Sequence, residues 1–162
     1  LIVSSTGKVS VSATPLPPGQ PIWSVRDFGS ASALEERPPW RLAVADAPVN
    51  SKNVLLYHKT TAREMYESAR RAHPAADDVL LWNEEGFVTE TTIANLVVEK
   101  RPGQFVTPPL ACGLLPGILR ADLLSRREIE EEPIHLSEVP RARRIFLINS
   151  VRGWMRAELI SP

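Results

Sequence analysis

Hydrophobic and polar positions divide most of the chain after residue 50 into short elements. Apolar runs with strand-like spacing predict strands at 54–58, 79–83, 87–91, 94–99, 105–107, 144–149 and 154–160. Apolar residues three and four positions apart predict helices over 61–72 and 117–127. Because strands and helices do not alternate regularly, the pattern favours an α+β fold over a doubly wound parallel sheet.

The first fifty residues follow a different pattern. Two extended runs around Thr6-Gly7-Lys8 predict a β-hairpin over residues 1–14. Residues 15–50 are rich in proline and predict an extended connector with at most a short strand around "WRLAVA". A lone hairpin is marginally stable in water. We therefore expect its sheet partners to lie outside this sequence, which would make the chain a fragment.

Composition narrows the class of protein. With 162 residues and 43% hydrophobic content, the chain is long enough for one well-formed core. Its 19 basic and 19 acidic residues balance without a basic stripe, so we expect no nucleic-acid partner. One cysteine, Cys112, and no signal-peptide or membrane-span pattern favour a cytoplasmic protein. His58, His73 and His135 are scattered, so we expect no metal site.

Lys59 lies between the predicted strand at 54–58 and the predicted helix at 61–72. Thr61 followed by Glu64 matches a capping box, which would start the helix just after the lysine. The positive end of a helix disfavours an ammonium group and so favours a nucleophilic amine. The alternative is a lysine that extends into solvent from a strand end.

Glu90 and Asn95 belong to the stretch "GFVTETTIANLVV". A carboxylate next to so apolar a run is expected to be partly buried, and a buried carboxylate needs a cationic or hydrogen-bonding partner. A protonated pyridine nitrogen would be such a partner. The alternative is a solvated Glu90 on an edge strand, with Asn95 at a bulge.

Two further stretches contain groups that can bind anions. In "GLLPGILR" the proline predicts a helix start where the N–H groups of Gly117, Ile118 and Leu119 point outward and form a phosphate site. The alternative is an ordinary helix cap. In "INSVRGW" the hydroxyl of Ser150 suits a phosphate, and Arg152 suits a carboxylate. The alternative is a hydrogen-bonded turn with an exposed arginine.

In order and separation, "HKTTAREMY", "ETTIANLVV", "TPPLACGLLPGILR" and "INSVRGW" resemble the motifs of class IV aminotransferases, a family of pyridoxal-phosphate enzymes. The resemblance covers roughly residues 54–156 and is closest to the aminodeoxychorismate lyases within that family. It implies the larger, C-terminal domain of the D-amino-acid aminotransferase-like fold. Residues 51–162 would bind the cofactor, and residues 1–14 would be a remnant of a small N-terminal domain that is largely missing.

The resemblance also implies roles for the residues that face the cofactor ring. Lys59 matches the lysine that binds pyridoxal 5'-phosphate covalently and carries protons. Glu90 matches the carboxylate that faces the pyridine nitrogen, and Asn95 belongs to the same motif and supports the ring.

Other residues match the parts of the family site that bind phosphate and substrate. Gly117, Ile118 and Leu119 match the loop whose backbone binds the phosphate. Ser150 matches a phosphate-binding hydroxyl, and Arg152 matches a substrate-binding position.

By resemblance, the implied reaction converts 4-amino-4-deoxychorismate into 4-aminobenzoate, a folate precursor, and pyruvate, with aromatisation favouring the elimination. The resemblance equally allows a transaminase of D-amino or branched-chain amino acids. A third alternative is a non-catalytic domain that remains from a lyase. The resemblance further implies a homodimer, and either fusion to or association with aminodeoxychorismate synthase component I.

Overall fold

The computed structural model describes residues 2–12 and 37–160. The strands are β1 (Ile2–Val3), β2 (Val9–Ser10), β3 (Trp40–Val44), β4 (Asp78–Trp82), β5 (Val88–Thr91), β6 (Asn95–Arg101), β7 (Gln104–Thr107), β8 (Glu130–Glu131), β9 (Arg144–Asn149) and β10 (Gly153–Leu159). The α-helices are α1 (Glu64–Ala72) and α2 (Ile118–Ser125). Short 3-10 helices cover Val54–Tyr57, Leu110–Cys112 and Leu136–Arg141.

Eight of these strands form one sheet in the order β5-β4-β3-β10-β9-β6-β7-β8. An additional pairing of β5 with β6 closes six of the strands into a ring, and β7 and β8 extend outward from β6. Most neighbours are antiparallel, but β3 runs parallel to both β4 and β10, and β7 runs parallel to β8. The predicted hairpin forms separately as β1 and β2. This mixed architecture confirms the predicted α+β class.

Side chains fill the interior of the ring, because alternate residues of each strand point inward. Leu42, Leu80, Leu96 and Leu147 come from four different strands and belong to one fully buried apolar cluster. Their neighbours in sequence point to the other face. Both faces of these strands are covered, which explains why their apolar runs lack a polar face.

Each helix covers part of the outer face of the ring. Val79 and Leu81 of β4 pack in a cluster with Leu56, and Met65 and Tyr66 of α1 pack against it. Leu119 and Leu123 of α2 belong to a second cluster with residues of β6, β7, β9 and β10. The helices are thus fixed to the sheet by their apolar faces, which sets the positions of their N-termini.

Most predicted elements are confirmed, including β9 at its predicted bounds and a strand in "WRLAVA". The predicted strand at 54–58 is wrong, because Asn53 accepts a hydrogen bond from the Leu55 N–H and turns the chain into a 3-10 helix at Val54–Tyr57. Residues 15–36 of the predicted proline-rich connector, and residues 1, 13 and 14 of the predicted hairpin, lie outside the described residues. Within the described part, no helix is both long and apolar enough to span a membrane.

Candidate active site

The hairpin of β5 and β6 brings Glu90 and Asn95 together. The two residues are directly opposed in the ladder, and the chain reverses through a turn closed by the hydrogen bond from Thr91 N–H to Ala94 C=O at 2.8 Å. Cross-strand partners place their side chains next to each other. The Asn95 Nδ2 lies 3.4 Å from the Glu90 Oε2, and both residues are buried.

Glu90 is a buried carboxylate with polar neighbours, as the sequence predicts. Glu90 is only 4% exposed, and the Tyr66 hydroxyl donates a hydrogen bond of 2.8 Å to its Oε1. Burial raises the pKa of Glu90 to about 7, although Tyr66, the Leu115 backbone, Arg63 and Lys59 each oppose the rise. A cation placed beside this buried carboxyl group would lower its pKa and favour the ionised form.

The loop before α2 is held against Asn95. Asn95 Nδ2 donates to the Leu115 carbonyl at 2.9 Å, and a Cβ on Gly117 would collide with the Asn95 Oδ1. This close approach explains the glycine. The predicted helix over 117–127 is shorter, Ile118–Ser125, with Gly117 as its N-cap.

The first N–H groups of α2 only partly match the predicted phosphate loop. The Gly117 N–H donates to the Leu115 carbonyl at 2.8 Å, so the prediction that it points outward is wrong. The N–H groups of Ile118 and Leu119 lie in the first turn of α2, where a helix has no acceptor of its own. These two groups are the ones that this helix start offers to an anion.

Lys59 is exposed in the loop between the 3-10 helix Val54–Tyr57 and α1. The predicted capping box is wrong, because α1 begins at Glu64 with Arg63 as N-cap and without a side-chain cap. The lysine is therefore separated from the helix by several residues. Its positive charge is near enough to Glu90 to help lower the pKa of that carboxyl.

The chain before Lys59 is fixed by close packing. Gly113 has φ +93°, and a Cβ there would lie 2.9 Å from the Ser51 Cα and 3.1 Å from a methyl carbon of Leu56. Asn83 Nδ2 also donates to the Cys112 carbonyl at 3.1 Å. The position of the lysine loop thus depends on residues far from it in sequence.

The turn after β9 contains Ser150 and Arg152. Asn149 Oδ1 accepts from the Val151 N–H at 3.0 Å and the Arg152 N–H at 2.8 Å, and Asn149 Nδ2 donates to the Ile93 carbonyl at 3.3 Å. These bonds attach the turn to the loop between Glu90 and Asn95. Ser150 is exposed there. The Arg152 guanidinium lies 5.9 Å from the centre of the Trp40 ring, so it is directed towards β3.

Two polar residues of this site, Tyr66 and Arg63, were not predicted from the sequence. Tyr66 is one of the apolar residues of the helix predicted over 61–72, and its ring packs against the sheet, but its hydroxyl reaches Glu90. A tyrosine on a buried helix face usually has a partner for its hydroxyl. That rule was the available signal, and Glu90 was already predicted to be a partly buried carboxylate in need of a hydrogen-bonding partner.

The residues present fit pyridoxal phosphate. The buried Glu90 suits the ring nitrogen, the exposed Lys59 amine suits the aldehyde, and the start of α2 suits the phosphate. No three His, Cys, Asp or Glu side chains are grouped to hold a metal ion anywhere in residues 2–12 and 37–160. The groups that the site offers are a carboxylate, an amine and backbone N–H groups, and these suit an organic cofactor.

The chain belongs to the class IV aminotransferase family, whose model matches residues 2–160. A Schizosaccharomyces pombe protein assigned as an aminodeoxychorismate lyase is 35% identical to it, over 77% of this chain and 57% of the relative. The aminodeoxychorismate lyase of Saccharomyces cerevisiae is 27% identical, over 96% of this chain and 50% of the relative. The chain thus spans about half the length of these curated relatives.

Solved structures agree with this assignment. A Mesorhizobium loti protein assigned as an amino-acid aminotransferase is 41% identical with a TM-score of 0.73, covering 76% of this chain and 60% of that one. A Legionella pneumophila protein assigned as a 4-amino-4-deoxychorismate lyase is 32% identical with a TM-score of 0.71, covering 76% and 48%. The predicted family and fold are therefore confirmed.

Proposed function

We propose that this chain is the cofactor-binding part of a pyridoxal-phosphate-dependent lyase that converts 4-amino-4-deoxychorismate into 4-aminobenzoate and pyruvate. The observation that carries the proposal is the buried carboxylate of Glu90, which lies beside Asn95 and the start of α2. Three relatives named as lyases support this reaction, whereas the Mesorhizobium loti protein assigned as an aminotransferase supports the alternative, transamination.

Pyridoxal phosphate, when bound, supplies a ring that accepts electrons from the carbon next to the substrate's amine. The Lys59 Nζ would bind the cofactor and then accept the proton from that carbon. The Glu90 Oε2 would accept a hydrogen bond from the ring nitrogen and favour its protonated form. The N–H groups of Ile118 and Leu119 would bind the phosphate with the hydroxyl of Ser150. Arg152 would have to turn away from Trp40 to bind a substrate carboxylate.

The cofactor and the lysine are tested together by absorption spectroscopy. We expect added pyridoxal phosphate to give a visible band in the wild type that borohydride reduces and fixes to the chain. Lys59→Ala should lose both the band and the fixed label. Lys52→Ala removes another exposed lysine of the same segment and should keep both. A label that persists at full yield in Lys59→Ala would contradict the assignment.

The reaction is tested by the need for an acceptor. A lyase releases pyruvate from 4-amino-4-deoxychorismate without any added keto acid, whereas a transaminase requires one. We expect acceptor-independent pyruvate and an equal amount of 4-aminobenzoate. Transfer of the amine to a keto acid without 4-aminobenzoate would favour the alternative, a class IV transaminase. Binding of the cofactor with neither product would favour a non-catalytic domain.

We also propose that the chain works as a homodimer. Ile118, at the start of α2, is 80% exposed, and Val151, in the turn beside Ser150, is 52% exposed. Apolar side chains at the rim of a site are typical of surfaces that another chain covers. Light scattering should give the mass of two chains for the wild type. A reduced dimer fraction in Ile118→Ser would support this surface, and a monomeric wild type would refute the dimer.

A further inference from the structure

The hydroxyl of Tyr66 makes the shorter of two side-chain hydrogen bonds to the Glu90 carboxylate. It donates 2.8 Å to the Oε1, whereas Asn95 Nδ2 lies 3.4 Å from the Oε2. Burial and the adjacent carboxylate raise the pKa of Tyr66 far above its ordinary value. The hydroxyl therefore keeps its proton and remains a donor. It occupies one carboxylate oxygen and leaves the other directed towards Asn95.

Arg63 makes a second contact to Tyr66, over the face of its ring. Its guanidinium lies 4.8 Å from the centre of the Tyr66 ring, and its Nη2 donates to the Thr92 carbonyl at 2.6 Å. A planar cation over an aromatic face stabilises the ring in one orientation. The same arginine thus contacts both the tyrosine and the turn that follows Glu90.

The turn itself is anchored in the core by Asp78. The buried Asp78 Oδ1 accepts hydrogen bonds from the Thr92 hydroxyl and, at 3.2 Å, from the Thr92 N–H. Thr92 is therefore held through all three of its polar groups, two by Asp78 and its carbonyl by Arg63. Contacts from the N-cap of α1 and from β4 therefore meet at Thr92, two positions after Glu90.

We propose that Tyr66 and Arg63 are positioning residues for Glu90, which orient its carboxylate so that one oxygen is fixed and the other is available to the ring nitrogen of the cofactor. This inference rests on the proposed function for the identity of the ligand, but the geometry belongs to the chain alone. A carboxylate held by a short hydrogen bond and a nearby cation loses less conformational freedom when it binds.

The test uses Tyr66→Phe, with Tyr57→Phe as the matched control. Tyr57 also donates its hydroxyl, at 2.8 Å to the Ser51 carbonyl, and is likewise half-buried beside the same cluster, but it does not contact Glu90. Carbon-13 NMR of labelled glutamate, assigned with Glu90→Gln, gives the titration of Glu90 in the chain without cofactor. Fluorescence titration with pyridoxal phosphate gives the affinity.

The groups that act on the Glu90 carboxylate are Tyr66, Arg63 and Lys59, with the Leu115 backbone, and all lower its pKa. We therefore expect Tyr66→Phe to raise the pKa of Glu90 further above 7 and to weaken cofactor binding about tenfold. Tyr57→Phe should change neither quantity. A Tyr66→Phe protein that folds and keeps the wild-type Glu90 titration would overturn the proposal.

A second variant keeps the test decisive if Tyr66→Phe does not fold. Arg63→Lys retains the charge but loses the planar group over the ring, and it should raise the pKa of Glu90 in the same direction by a smaller amount. An unchanged titration would overturn the inference. If the wild type fails to bind pyridoxal phosphate, the proposed function is wrong, whereas the NMR titration still decides the role of Tyr66.

Discussion

Replacing Glu90 with glutamine should change how the stability of the fold depends on pH. Glutamine keeps the shape of the side chain and an oxygen that accepts the Tyr66 hydroxyl, but it cannot ionise. Burial raises the pKa of Glu90 from 4.5 to about 7. Between those two values the folded protein keeps a proton that the unfolded chain releases. Raising the pH through this interval therefore favours the unfolded state.

The magnitude follows from the width of the interval. From 4.5 to about 7, at about 1.36 kcal/mol per pH unit, the wild type should lose about 3 kcal/mol of unfolding free energy relative to Glu90→Gln. The loss should begin near the unfolded pKa and be complete above the folded one. Below pH 4 the difference between the two proteins should be constant.

Urea unfolding, followed by tryptophan fluorescence from pH 3.5 to 8.5, measures this difference in protein freed of cofactor. Glu84→Gln is the control of opposite sign. Glu84 is exposed, and hydrogen bonds from the Ser51 N–H and hydroxyl lower its pKa. The wild type should therefore gain stability over Glu84→Gln as the pH rises through the acid range. Parallel curves for the wild type and Glu90→Gln would refute the reasoning about burial.

Three further substitutions test the packing around the site. Gly117→Ala should push Asn95 aside, cost about 1–3 kcal/mol of stability and weaken pyridoxal-phosphate binding in a fluorescence titration; unchanged affinity would contradict the contact. Gly113 has φ +93°, and the Cβ that Gly113→Ala adds would lie 2.9 Å from the Ser51 Cα. This substitution should cost about 1–3 kcal/mol of unfolding free energy in urea and reduce the yield of borohydride-fixed cofactor. Leu147→Ala, inside the ring, should cost about 3 kcal/mol of unfolding free energy while the folded protein keeps its cofactor affinity.

The strands were predictable because their apolar runs are short and are bounded by turn residues. β9 has its predicted bounds, and the hairpin of β4 and β5 forms around Glu85-Gly86. The run at 54–57 misled the prediction, since a single turn of helix and a short strand have the same length. The hydrogen bond from the Leu55 N–H to the Asn53 side chain decides between them, and only Leu56 is buried.

The predicted site could be placed only in part. Glu90 and Asn95 are close in sequence, so a hairpin brings them together. The capping box at Thr61 was wrong because two threonines precede Arg63, and the sequence pattern does not fix which residue ends the loop. The contact of Tyr66 with Glu90 depends on how α1 lies on the sheet, and this long-range packing leaves no local pattern.

The pairing of β3 with β10 has a consequence for the order in which the ring assembles. Three of the six pairings in the ring are hairpins, and the longest-range pairing joins Trp40–Leu42 to Ala157–Leu159, at the far end of the described chain. Closing so long a loop is entropically costly, so this contact should form late. During synthesis, the hairpin that holds Glu90 is available long before the ring can close. The pairing of β10 with β3 therefore closes the ring after Glu90 and Asn95 are already side by side.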